Sequence, residues 1–210
     1  MLNGAISTSG PYRGHRQPVQ ATRAGHPTLC QHDHMAFHHL ALATRDLPAT
    51  HRFYTEAMGF TLAKVVIGPT ETPDGWARHV FYDTGGDGLM AFWELNDDTL
   101  PDFDPAISTG IGLPPWVNHV AFAATPDTLP ACRDRWLDAG IDVAEVDHGF
   151  CISIYATDPN GVLVEWCCDT RPLDDDDSAA AERLLVDPAP AFDPPPNITF
   201  HEASSRVAGT

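Results

Sequence analysis

Lysine occurs once in this 210-residue sequence, at Lys64, and basic residues of both kinds number 12 against 29 acidic ones. The formal charge of −17 repels phosphate backbones and anionic membrane surfaces, so neither nucleic acid nor membrane is expected as a partner. No apolar run approaches the ~20 residues that a spanning helix needs. The five cysteines, Cys30, Cys132, Cys151, Cys167 and Cys168, show no CxxC spacing. An odd count without a secretory signal points to reduced thiols and a cytoplasmic location. The adjacent Cys167 and Cys168 read as buried strand filler rather than a redox centre.

Acidic residues are missing before Asp33, and apolar periodicity is missing before Met35. Residues 1–34 are therefore expected to be a disordered leader outside the folded domain. At the other end, residues 171–210 read as an acidic, Pro-rich tail with a short helix near Ser178 to Val186. Its run Asp174 to Asp177 suits a helix entry, where carboxylates meet the positive end of the dipole.

Between the tails, residues 35–170 contain an internal repeat. "HHLALATRDLPATHRFYTEAMGF", from His38, aligns with "NHVAFAATPDTLPACRDRWLDAGI", from Asn118, after one insertion. Alternation makes each a strand: His39, Ala41 and Ala43 share one face, as do His119, Ala121 and Ala123. Each following helix has a proline in its first turn, Pro48 or Pro130, and a glycine just past its end, Gly59 or Gly140. Further strands follow in "RHVFYDTG", "GLMAFWEL", "FCISIYAT" and "GVLVEWC". The sequence therefore predicts an α+β fold of two tandem βαβββ modules, about 36–97 and 117–170, with residues 98–116 as connector. Side by side, the two would form a cupped, mixed, eight-stranded sheet with helices outside. The alanine-lined face leaves room beside each histidine, whereas His38 is expected to turn toward the helix and be structural.

This arrangement resembles the vicinal oxygen chelate superfamily of glyoxalases, epimerases, fosfomycin-resistance proteins and extradiol dioxygenases. The stretch "VDHGFCISIYATDPNGVLVEW" is similar to the extradiol dioxygenase signature, with His148, Tyr155 and Glu165 at its spacing. The resemblance implies a divalent metal held by His39, His119 and Glu165, with His148 and Tyr155 as catalytic neighbours that handle a proton. Two imidazoles and a carboxylate on one side of Fe(II), or of Mn(II), leave positions for substrate oxygens and O₂. Glu165 between Val164 and Trp166 would cost several kcal/mol if buried without a partner, and so needs solvent or a cation.

The expected activity is extradiol-type oxygenation of an aromatic or vicinal-oxygen small molecule, and the family allows a homodimer. One alternative is a glyoxalase- or epimerase-like isomerase with Zn(II) or Ni(II); another is a metal-free resistance protein that sequesters its ligand. Aligned through Gly88 and Gly161, the first-module counterpart of Glu165 is Phe92, and Glu94 lies two residues on. Three ligands suit a dioxygenase, whereas Glu94 as a fourth would suit an isomerase. "GGDGLMAFWEL" also lacks the acid–base histidine of extradiol enzymes, for which His79 is the nearest substitute.

Overall fold

A computed structural model describes residues 37–204; the expected leader lies outside the described residues. The first module runs β1 (His39–Thr44), α1 (Leu47–Arg52), a π-helical turn (Phe53–Ala57), β2 (Thr61–Pro69), β3 (Trp76–Asp83) and β4 (Leu89–Asn96). The second runs β5 (His119–Ala123), α2 (Leu129–Asp138), β6 (Val143–Asp147), β7 (Cys151–Thr157) and β8 (Leu163–Asp169). A third helix, α3 (Asp175–Val186), and a ninth strand, β9 (Asn197–His201), follow.

The strands form two mixed sheets, ordered β1-β4-β3-β2 and β5-β8-β7-β6-β9. In each sheet the first strand of the module lies parallel to the last, and all other pairings are antiparallel. The fold is thus α+β, but the strands stay in two open sheets rather than one continuous eight-stranded sheet. The fifth strand of the second sheet comes from the tail. In β9, Ile198 and Phe200 alternate with polar residues after a run of prolines, a period too short to stand out in the sequence.

Local chemistry sets the helix ends. Asp46 accepts from the Ala49 amide at 2.8 Å, and Pro48 supplies a first-turn φ already suited to the helix. The π turn ends at Gly59, whose φ of 79° lies in the left-handed region. A Cβ there would strike the Arg135 guanidinium, which reaches across from α2 and donates to the Met58 carbonyl at 3.0 Å. The acidic run is the N-terminus of α3: the Asp174 side chain accepts from the Asp177 amide, and the Asp177 side chain accepts from the Asp174 amide.

One face of each sheet packs under its helix. Met90, Phe92, Val80 and Tyr82 lie under Tyr54 and Met58; Val164, Trp166 and Ile154 lie under Cys132 and Trp136. The two layers merge where the Phe60 ring meets Phe122 at 5.0 Å and Trp166 at 6.0 Å. Fully burying an aromatic or large aliphatic side chain contributes about 1.5–3 kcal/mol, so this shared layer joins the modules firmly. The opposite faces carry the exposed His39 and His119 together with the buried Ala91, His79, Ser153 and Glu165.

Candidate metal centre

His119 opens β5, and its neighbour Asn118 is fixed to the connector by bonds to the Ile107 carbonyl and the Ser108 hydroxyl. The His119 ring is held through Nδ1, 3.0 Å from the Trp116 carbonyl oxygen. A carbonyl only accepts, so Nδ1 carries the hydrogen. In the neutral ring Nε2 is then a lone pair, and it lies 3.0 Å from Oε2 of Glu165. Two acceptors at that distance repel unless a cation, either a proton or a metal ion, sits with them. A proton on Nε2 satisfies the pair, and the same two groups, an imidazole oriented through its second nitrogen beside a carboxylate that is 5% exposed, are of the types that ligate a divalent ion.

Strand register brings the other groups to the same face. On β8, Glu165 has Ala121 of β5 on one side and Tyr155 of β7 on the other. Burial first, and then the neighbouring Glu165 charge, push the Tyr155 hydroxyl up to about 12, so it stays a neutral donor at ordinary pH. His148 stands on the β6–β7 turn with Nε2 3.2 Å from the Tyr155 oxygen. Four predicted residues thus form one line: His148, Tyr155, Glu165, His119.

The structure places His39 elsewhere. Its Nδ1 lies 2.7 Å from Nδ1 of His38, and its ring neighbours are His79 and Phe81 of its own module. His38 is exposed and bonded to His39, not turned into the helix layer as expected. Among the described residues, no three His, Cys, Asp or Glu side chains gather closely enough to hold a metal. The first-module neighbours of β5 are instead Phe37, Leu40 and the Gly85–Gly88 turn, across a cleft of about 640 Å³.

Register also corrects the fourth position. His39 pairs with Leu89 and Ala41 with Ala91, while His119 pairs with Leu163 and Ala121 with Glu165. The counterpart of Glu165 is therefore Ala91, not Phe92, because the second-module turn has one more residue between its glycine and the first paired position. Phe92 and Glu94 lie on the helix side, where Glu94 pairs with Arg78 at 3.0 Å. His79 does share the His39 face; it is 9% exposed, and burial lowers its pKa and favours the neutral ring. The Trp116 carbonyl that orients His119 carries no signal in a sequence, since any residue type supplies one.

No curated protein matches the chain. Among solved structures, the fosfomycin resistance protein FosX of Listeria monocytogenes is similar at 18% identity, covering 64% of this chain and 93% of that one with a TM-score of 0.44. A lactoylglutathione lyase from Agrobacterium tumefaciens is similar at 19% identity, covering 65% and 95% with a TM-score of 0.42. A domain from Frankia sp. EAN1pec, described as glyoxylase/bleomycin resistance protein/dioxygenase, is similar at 20%, covering 62% and 94% with a TM-score of 0.44. The model of one family matches residues 36–166, more than half of the chain and both modules. The chain belongs to the Glyoxalase/Bleomycin resistance protein/Dioxygenase superfamily.

Proposed function

We propose that this chain is a metal-dependent enzyme in which His39, His119 and Glu165 hold a divalent ion, Fe(II) first and Mn(II) second. The proposed reaction is extradiol-type oxygenation of a catechol-like small molecule. The observation that carries this reading is the His119–Glu165 pair, a lone pair and a buried carboxylate 3.0 Å apart with the imidazole already oriented from behind. When bound, the ion would draw vicinal substrate oxygens and O₂ to neighbouring positions. Tyr155, neutral up to about pH 12, donates a hydrogen bond to an oxygen beside Glu165. His148, exposed and bonded to the Tyr155 oxygen, accepts a proton from a substrate hydroxyl or returns it. With Ala91 at the fourth position, the chain supplies no carboxylate there, which favours a three-ligand site.

His39 lies on a different sheet from this pair, so the reading places the complete site where the open faces of two copies meet. That assignment uses the homodimer the family allows.

One observation favours the isomerase alternative with Zn(II) or Ni(II): the open face of β4 offers Ala91 and Trp93 but no acid–base histidine. Ligand sequestration without metal has the least support, since it uses the His119–Glu165 pair only as a proton-bridged ion pair. The deciding experiment supplies anaerobically purified, Fe(II)-loaded protein with a panel of catechols and follows oxygen uptake. A yellow ring-opened product is expected. No oxygen uptake across the panel, together with activity of the Zn(II) or Ni(II) form on an isomerase substrate, would reverse the ranking.

A further inference from the structure

The second sheet contains a strand that neither module supplies. β9 lies beyond residues 36–166, which the family model matches, and it pairs with β6 from Asn197 to His201. His201 Nε2 lies 3.0 Å from Glu145, and the Ala203 amide donates to the Asp142 carboxylate at 2.8 Å. These contacts hold the backbone and bury neither apolar side chain, since Ile198 is 50% exposed and Phe200 is 76% exposed. Capping the β6 edge needs only the β9 backbone. A polar residue would cap it as well as Phe200 does.

Strand register shows what the Phe200 ring stands beside. Ala121, Glu165, Tyr155, Ala144 and Phe200 follow one another across β5, β8, β7, β6 and β9 as one row of paired residues. Phe200 is therefore on the Glu165 face, two strand spacings or about 10 Å from Tyr155, with only Ala144 between them. Leu163 is the same-face neighbour of Glu165 along β8, where it pairs with His119 on one side and Thr157 on the other. A cavity of about 410 Å³ is lined by Ala144, Tyr155, Thr157, Leu163 and Phe200. Asp142 and Glu202, at the end of the β6–β9 ladder, add two carboxylates to that lining. No lysine or arginine lines the cavity, and the His201 imidazole there is bonded to Glu145.

We propose that this cavity is a subsite for an uncharged alkyl arm of the small molecule held at Glu165, with Phe200 as its specificity-determining residue. The subsite rests on the proposed reading of the metal centre for the identity of that molecule, but not for its preference for an apolar arm. An arm leaving the His119–Glu165 pair passes Leu163 and Thr157 and lies over Ala144 against the Phe200 ring. Each methylene fully removed from water tightens binding about fourfold, and less where one side stays open. A carboxylate on the arm meets Asp142 and Glu202 with no cation to pair with, so anionic arms are rejected.

The test uses the full-length, metal-free protein and the straight-chain alcohols from ethanol to pentanol, with pentanoate as the charged counterpart, titrated against the NMR shifts of the Leu163 methyl groups. Affinity is expected to rise about two- to fourfold per added methylene, with pentanoate weaker than pentanol. Phe200→Ala should cut that step below about 1.5-fold, whereas Phe200→Leu, which keeps an apolar wall, should retain most of it. Thr199→Ala, on the same strand but the opposite face, should leave it unchanged. The subsite is overturned if the Leu163 methyls do not respond, if pentanoate binds as well as pentanol, or if the step survives Phe200→Ala with the β9 amide shifts unchanged. It is equally overturned if the Leu163 shifts follow protein concentration, which would make a second copy the occupant. On Fe(II)-loaded protein, 4-butylcatechol should have a lower KM than catechol, a gain that Phe200→Ala removes; equal KM values would overturn the link between the arm and the Glu165 site. An intact alcohol series without any oxygen uptake supports the subsite and counts against the proposed reaction alone.

Discussion

Asp158 offers the sharpest test of how the site is held. Its carboxylate is buried at the turn before β8, where it accepts from the Asn160 and Val162 amides at 2.8 Å each, from Asn160 Nδ2 at 3.0 Å and from the Tyr54 hydroxyl at 3.1 Å. The first three fix the turn that launches the Glu165 strand; the fourth ties it to the first module. Burial pushes the Asp158 pKa up even though these bonds pull it down, so the charged form retains a net cost. Asp158→Ala recovers that cost but strands several buried donors, each worth about 1–3 kcal/mol. The balance is a loss of about 3 kcal/mol. Tyr54→Phe removes a single bond and leaves Asp158 three donors, for about 1 kcal/mol. Equilibrium denaturation of metal-free protein measures both, and the double variant should cost no more than Asp158→Ala alone. If Tyr54→Phe proved as damaging as Asp158→Ala, or if Asp158→Ala cost under about 1 kcal/mol, the turn would not be anchored by this carboxylate.

Replacing His119 or Glu165 with Ala should weaken divalent-metal binding by more than the roughly ten- to hundredfold lost when only an outer hydrogen-bond partner of a ligand is removed, with the fold intact by circular dichroism; full occupancy in either variant would remove it from the site. Glu94→Gln should leave metal affinity unchanged in a metal titration and cost about 0.5–1 kcal/mol of stability, since its partner is the half-exposed Arg78. Tyr155 gives a pH signature: burial raises its folded pKa to about 12, above the ordinary tyrosine value of about 10, so the unfolded chain loses that proton first. The stability it confers is complete below about pH 10 and gone by about pH 12, a loss that denaturation curves of Tyr155→Phe should lack. Mixing His39→Ala with Glu165→Ala protein should regenerate activity if the site forms between copies, because a mixed dimer has one intact ligand set; no recovery after refolding the mixture would place the site within one chain.

The repeat was legible because its signals are local. Alternation around His39 and His119 fixed which residues share a face, and Pro48, Gly59, Pro130 and Gly140 bracketed the helices where the structure has them. The residues His148, Tyr155, Glu165 and His119 were singled out by the resemblance to the extradiol signature, and period-two alternation put His119 on the face shared with Ala121 and Ala123. Register was less accessible: Gly88 directly precedes a paired residue, whereas Val162 intervenes after Gly161, and that single residue moved the counterpart of Glu165 from Phe92 to Ala91. Shifting a strand by one position turns every side chain to the other face, which is how Glu94 came to be weighed as a ligand although it lies on the helix side. The placement of one module against the other has no local signal at all, because it depends on contacts such as Phe60 with Trp166 across more than a hundred residues.

That placement has a physical logic. The strongest apolar groups, Tyr54, Phe60, Phe92, Trp136 and Trp166, lie on the helix sides of both sheets and can be buried together in one layer. Doing so spends the hydrophobic contacts of both modules on a single shared core and turns the two histidine faces outward. The two faces carry different groups: the second-module face has the oriented His119 imidazole, the buried Glu165 carboxylate, Tyr155 and His148, whereas the first-module face has His39, His79, Phe81 and Trp93. Under the proposed reading a site that needs both is assembled without disturbing the core, because the faces that would meet lie on the other side of each sheet from the helix layer. Stability therefore resides in the helix layer, so that variants of Tyr54 or Asp158 should shift unfolding, whereas under the proposed reaction His148→Ala should lower turnover and leave the unfolding midpoint near that of the parent chain.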